Sequence, residues 1–198
     1  MQAAMERAPY GLGEATLLDT QVRDSWQLGP EKLRLENKEF VEAVEEKLVE
    51  RIKAELGLGE DVEVRAELHK LLLYNPGGHF KAHRDTEKAA GMFGTLILQL
   101  PSEFTGGDLV VRHGGEEVVV AMAQAGAATS CVFAAHYSDC EHELREVTSG
   151  HRLALVHSGQ HDLFGATVSL LVFPFVFRYA IISRICIVLH SLITRKRF

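Results

Sequence analysis

Apolar residues recur in this chain with two different periods, and the change from one to the other divides the sequence. Phe40, Val41, Val44, Leu48, Ile52 and Leu56 return every three or four positions, the spacing of one helical face, with Asn37 placed to cap the start and Gly57 to stop the end. The charged residues between them, Glu45, Glu46, Lys47, Glu50 and Arg51, form the solvated face of a helix that braces a sheet. From Val62 the period becomes two: Val62, Val64, Ala66 and Leu68 alternate with charged residues, the pattern of a half-buried strand.

Short strand candidates then follow in series, at Leu71 to Tyr74, Thr95 to Leu100, Asp108 to His113, Glu117 to Ala121, Ser130 to Ala135, Glu141 to Val147 and Arg152 to His157. Glycine pairs at Gly77–Gly78 and Gly106–Gly107 supply turns, and the regular spacing predicts an antiparallel barrel or sandwich. Residues 1–36 are aperiodic and read as a lead-in. The segment from Thr86 to Phe93 reads as a loop, either an entrance flap or an ordinary connection.

Composition narrows the class. A chain of 198 residues with 46% hydrophobic content suits one soluble domain, and a formal charge of −6 offers no basic footprint for nucleic acid. Cys131, Cys140 and Cys186 form neither a Cys-x-x-Cys motif nor an even disulfide framework, and the N-terminus lacks a signal-like apolar run. Both features fit a cytoplasmic or nuclear setting.

The candidate chemistry lies in four residues. His83 and Asp85 are two apart, so an extended backbone aims both side chains to one face while Arg84 points away. His142 is a distant third donor, and two imidazoles with one carboxylate are the ligand set of a redox-active ferrous ion with open positions. Arg152 follows ten residues later, with Thr148, Ser149 and Gly150 as a turn, which predicts a hairpin carrying the guanidinium beside the metal. There it could take a carboxylate in a two-pronged, charge-assisted contact. The neighbours of His142, Glu141 and Glu143, should face the opposite, solvated side.

Other chemistries fit less well. His83-Arg84-Asp85 also opens a kinase catalytic loop, but the downstream asparagine, Asp-Phe-Gly and glycine-rich phosphate loop are missing. A zinc hydrolase could use the same ligands with Glu141 or Glu143 as base, but leaves Arg152 without a role. His79, His113 and His136 read as strand or loop residues with satisfied hydrogen bonds.

The stretches LLLYNPGGHFKAHRDTEKAAGMFGTLILQLPSEFTGGDLVVRHGG and YSDCEHELREVTSGHRLALV resemble the 2-oxoglutarate and Fe(II)-dependent dioxygenases, in particular the prolyl 4-hydroxylase-like group, from about Leu71 to Val156. The resemblance implies a mainly β fold with a flanking helix and a double-stranded β-helix, or jelly-roll, core. It implies His83, Asp85 and His142 as Fe(2+) ligands, Arg152 as partner of the far carboxylate of 2-oxoglutarate, and Tyr74 as an aid to cosubstrate binding. Dioxygen is the other cosubstrate, and ascorbate a candidate accessory reductant. The implied reaction hydroxylates an unidentified prime substrate, a protein side chain among the candidates, and releases succinate and carbon dioxide. The alternative is a catalytically silent metal-binding or interaction module on the same fold. Prolyl 4-hydroxylases usually carry lysine at the position of Arg152, so proline is not carried over as the target. Relatives commonly have an aromatic residue where His151 stands, so His151, otherwise a strand or loop residue with a satisfied hydrogen bond, is also a candidate for lining the pocket.

The domain assignment is therefore a lead-in over 1–36, a dioxygenase domain over 37–162 and a hydrophobic, basic tail over 163–198. No acidic residue follows Asp162, while Arg178, Arg184, Arg195, Lys196 and Arg197 do. Arg178, Arg184 and Pro174 interrupt the apolar run, which disfavours a simple membrane span. Three readings compete: sequence outside the fold, a membrane anchor, or late core strands. The first is preferred.

Overall fold

The computed structural model describes residues 2–13, 15–59, 62–86, 91–123, 127–161 and 187–190. In chain order the strands are β1 (Glu6–Arg7), β2 (Tyr10–Leu12), β3 (Ala15–Leu17), β4 (Arg23–Asp24) and β5 (Trp26–Leu28). After the helical segment come β6 (Val64–Tyr74), β7 (His79–His83), β8 (Met92–Gln99), β9 (Phe104–Gly106), β10 (Leu109–His113) and β11 (Glu116–Val120). The series ends with β12 (Val132–Tyr137), β13 (Glu141–Leu144), β14 (Val147–Gly150), β15 (Arg152–His161) and β16 (Ile187–His190). Among the described residues a major sheet runs β1-β5-β6-β15-β8-β12-β16 and a minor sheet β11-β10-β13-β7-β4. This is the double-stranded β-helix, a jelly roll with a helix on its outer side.

The helix follows its sequence signals. Asn37 accepts a hydrogen bond from the Phe40 amide at 3.0 Å, and Gly57 ends the segment at φ +70°. Between α1 (Lys38–Glu42) and α2 (Val49–Glu55) the chain makes a π-helical stretch over Ala43–Leu48. Leu48, Ile52 and Leu56 are buried against Leu71, Leu73, Leu98 and Leu155 on the outer face of the major sheet. Period-two alternation sends the intervening Leu72, Tyr74 and Ala154 to the other core, between the sheets, with Leu109, Val111 and Leu144. β6 and β15 thus serve the helix with one face and a cavity with the other.

The aperiodic lead-in over residues 1–36 joins both sheets: β5 pairs with Leu71–Leu73 on the major sheet and β4 pairs with His79 and Phe80 on the minor one. Strands of two or three residues carry no period to read. The predicted hairpin between His142 and Arg152 does not form. Residues 147–150 instead pair with Phe104–Gly106, and the chain passes from the minor sheet to the major one. The tail is not wholly outside the fold, since Ile187–His190 pairs antiparallel with Val132–Ala135 along what would otherwise be an open sheet edge. Residues 162–186 and 191–198 lie outside the described residues, as does 87–90 of the proposed flap. No helix among the described residues is long and apolar enough to cross a membrane.

Candidate metal centre and cosubstrate pocket

His83 and His142 face each other in register across β7 and β13, their ring centroids 4.2 Å apart. Asp85 lies just beyond the end of β7. Its Oδ1 is 3.9 Å from His83 Nε2 and its Oδ2 is 3.8 Å from His142 Nε2. These separations are too long for hydrogen bonds. They match the gap that a cation leaves between ligands, since two bonds of roughly 2.0–2.2 Å meeting at an angle span about 3–4 Å. All three ligand atoms lie within 4.8 Å of one another.

Hydrogen bonds hold each ligand in the required tautomer. His83 Nδ1–H donates to the Lys81 carbonyl at 2.9 Å, and His142 Nδ1–H donates to the Cys140 carbonyl at 3.1 Å. Both Nε2 lone pairs are thereby turned toward Asp85. The Thr95 hydroxyl donates to Asp85 Oδ2 at 2.6 Å, which leaves Oδ1 unshared. Phe80 stacks on His83 at 3.6 Å, and the Arg23 guanidinium carbon sits 4.4 Å from the Phe80 ring centroid.

Protonation favours a cation as well. Burial pushes His142 down to about 4, against the pull of Asp85 and with help from His83, and burial lowers His83 too. Burial alone would raise the Asp85 carboxyl, but His142, His136, the Thr95 hydroxyl and His83 together hold it below its ordinary value. Near neutral pH the site therefore holds two neutral imidazoles and a carboxylate, the forms that ligate metal.

Arg152 enters the same cavity from the opposite sheet. It is 2% exposed, and its Nε and Nη2 have no hydrogen-bond partner. Desolvation lowers the guanidinium to about 10, partly countered by Tyr74, so it still carries its charge at neutral pH. A buried, unpartnered cation is costly unless an anion joins it. Tyr74 is the register partner of Arg152, with its ring centroid 5.4 Å from the guanidinium carbon.

The cavity, about 130 Å³, is lined by His83, Asp85, His142, Arg152 and Tyr74 with the apolar Leu72, Ile97, Leu109 and Leu144. At roughly 10–15 Å³ per water-sized occupant it has room for a ligand of on the order of ten non-hydrogen atoms. The donor set, the room and the orphaned guanidinium fit an iron ion with a small dicarboxylate beside it.

All five sequence-derived residues are brought together. Glu141 and Glu143 face away as expected, toward Arg112, which reaches Glu143 at 2.7 Å, so neither can serve as a base at the metal. His151 does not line the cavity; it is exposed and bonds Asn75 Oδ1 at 3.0 Å. His136 is not the fully satisfied strand residue that its sequence context predicts. It is fully buried with its ring centroid 4.2 Å from that of His142, and only its Nδ1 is satisfied, by the Tyr137 carbonyl. Thr95, Phe80 and Arg23 were not singled out from sequence. Alternation along Thr95 to Leu100 could have put Thr95 on the inner face, but not against Asp85.

Residues 69–157 match the family model of the 2OG-Fe(II) oxygenase superfamily. No curated protein matches the sequence. Among solved structures the chain is similar to an oxidoreductase of the 2OG-Fe(II) oxygenase family from Burkholderia pseudomallei, with 18% identity over 80% of this chain and 75% of that one, TM-score 0.53. It is similar to a prolyl-4-hydroxylase from Pseudomonas putida, with 23% identity over 72% and 74%, TM-score 0.51. A third is a prolyl hydroxylase from Trichoplax adhaerens in complex with a hypoxia inducible factor oxygen degradation domain peptide fragment, with 11% identity over 78% and 70%, TM-score 0.55. At these identities the structural likeness speaks for the fold.

Proposed function

We propose that this chain, whose residues 69–157 match the family model of the 2OG-Fe(II) oxygenase superfamily, is a 2-oxoglutarate-dependent dioxygenase using Fe(2+) that hydroxylates an organic substrate at the His83–Asp85–His142 centre, with Arg152 as the cosubstrate anchor. One observation carries the reading. A buried guanidinium with unpartnered Nε and Nη2 shares a cavity with two imidazoles and a carboxylate poised around one point.

His83, Asp85 and His142 would hold the iron, which when bound supplies the redox chemistry that couples 2-oxoglutarate decarboxylation to substrate hydroxylation. The protein's own part is geometric and electrostatic. Arg152 offers two donors to the far carboxylate of the cosubstrate, so the keto-acid end is directed toward the opposite sheet. Tyr74 flanks that contact. Leu72, Ile97, Leu109 and Leu144 keep water from the reacting end, and Thr95 holds the Asp85 carboxylate in one orientation. A protein side chain is the substrate class we favour; the similar Trichoplax protein holds a peptide fragment.

The test is anaerobic titration of 2-oxoglutarate into Fe(II)-loaded protein, followed by the visible charge-transfer band of a chelated keto acid. The expected result is a saturable band that Arg152→Ala shifts to much higher 2-oxoglutarate concentration. Folded, iron-loaded protein that gives no band would overturn the reading.

A further inference from the structure

Behind His142 lies a second group of ligand-type side chains. In the β10–β13 ladder Val111 stands opposite His142 and Arg112 opposite Glu141. One step further, His113 at the end of β10 meets the turn that carries Asp139 and Cys140 into β13. The imidazole, carboxylate and thiol ligand atoms of these three residues lie within 4.8 Å of one another. His113 and Asp139 are exposed while Cys140 is buried at the core between the sheets, so the sulfur lies beneath the two exposed side chains. Among the described residues neither the His113 nor the Asp139 side chain is taken up by a hydrogen bond or an ion pair.

We propose that His113, Asp139 and Cys140 form a second metal site, for a divalent transition cation of the zinc type. The donor set selects the class of ion. Thiolate and imidazole suit borderline-soft cations, whereas calcium and magnesium call for oxygen ligands. A thiolate and a carboxylate neutralise a divalent charge, with the thiol proton released to solvent on binding. Three protein ligands leave a coordination position for water. No redox change is required of the ion.

The site is tied to the first one through a single residue. The Cys140 carbonyl accepts the Nδ1–H of His142, and the Cys140 amide donates to the Tyr137 carbonyl at 3.1 Å. A cation held at the Cys140 sulfur fixes the turn whose carbonyl orients His142. The second ion is thus a structural prop behind the catalytic centre, and its existence does not depend on the dioxygenase reading.

Cobalt(II) is the probe, titrated anaerobically under reducing conditions into the full chain carrying His83→Ala and Asp85→Ala, which removes the first site. The expected result is one cobalt per chain with the strong near-ultraviolet absorption of a thiolate-bound ion, displaced by one equivalent of zinc. Adding Cys140→Ser should abolish the absorption. Because Cys140 lies in the core, the exposed His113→Ala serves as the variant that keeps the fold, and it should weaken cobalt binding by roughly tenfold or more. No cobalt binding, binding without the thiolate absorption, a band that survives Cys140→Ser, or unchanged affinity in His113→Ala each overturns the proposal.

Discussion

Arg152 and Tyr74 stand opposite each other across β15 and β6, the guanidinium carbon 5.4 Å from the ring centroid, and the arginine's Nε and Nη2 find no partner. The pair is arranged for a ligand rather than for the fold. Replacing Arg152 by Met should therefore have opposite effects with and without cosubstrate. Ligand-free protein should be as stable as the parent or more so, because an unpaired buried charge is removed. The 2-oxoglutarate KM should rise roughly 10–100-fold, the equivalent of about 1.5–3 kcal/mol of charge-assisted hydrogen bonding. Thermal melts with and without 2-oxoglutarate check both halves, and an undiminished cosubstrate-induced shift would refute the assignment.

Thr95 is placed to orient Asp85 without touching the ion. Thr95→Val keeps the strand and nearly the same volume but deletes the 2.6 Å hydrogen bond to Oδ2. The expected outcome is a loss of about 10–100-fold in Fe(II) affinity with the fold intact, read by metal titration and circular dichroism. Unaltered affinity would show that the carboxylate is held by its other neighbours.

Acid should destabilise this protein in a defined window. Burial lowers His136, His142 and His157 to about 4 from an ordinary value of 6.5. Between those limits the unfolded chain binds protons that the folded chain refuses. Stability is then complete above about pH 6.5 and falls as the pH drops toward 4. His157 has an unpartnered Nδ1 in the folded protein, so His157→Leu should flatten part of that slope. Urea midpoints measured across pH 4–7 would show it, and parallel curves for parent and variant would remove His157 from the account.

Gly107 sits against Arg152 with φ +67°, and a Cβ there would lie 3.3 Å from Arg152 Cδ and 3.1 Å from Val147 Cγ2. Gly107→Ala should lower stability by about 1 kcal/mol or more through backbone strain. It should also raise the 2-oxoglutarate KM while leaving the iron stoichiometry at one. If iron binding is lost as well, the glycine supports the sheet as a whole and not the anchor specifically.

Local pattern went a long way toward the site. Period two turned Glu141 and Glu143 away from His142, whereas Asp85 reaches His83 from just beyond the end of β7 and not from within the strand. The helix from Asn37 to Gly57 was legible from its cap, its apolar stripe and its stop. Where pattern failed, the elements were too short or their partners too distant. The two-residue and three-residue strands of the N-terminus have no period, although β1 and β5 extend the major sheet and β4 edges the minor one. The ten residues between His142 and Arg152 look like a hairpin, because glycine and hydroxyl residues mark a turn without saying which strand is paired next.

By itself the sequence determined the candidate ligand types, the face that His142 takes within its strand, and the helix that covers the outer core, since these follow from side-chain chemistry and from backbone periods acting over a few residues. Only the tertiary structure decided that Arg152 reaches the cavity from the opposite sheet and that Thr95 holds Asp85. It alone placed His136 against His142 and His113 within reach of Cys140. Those contacts depend on the register of ladders between strands far apart in the chain, and register is settled by the packing of the whole core.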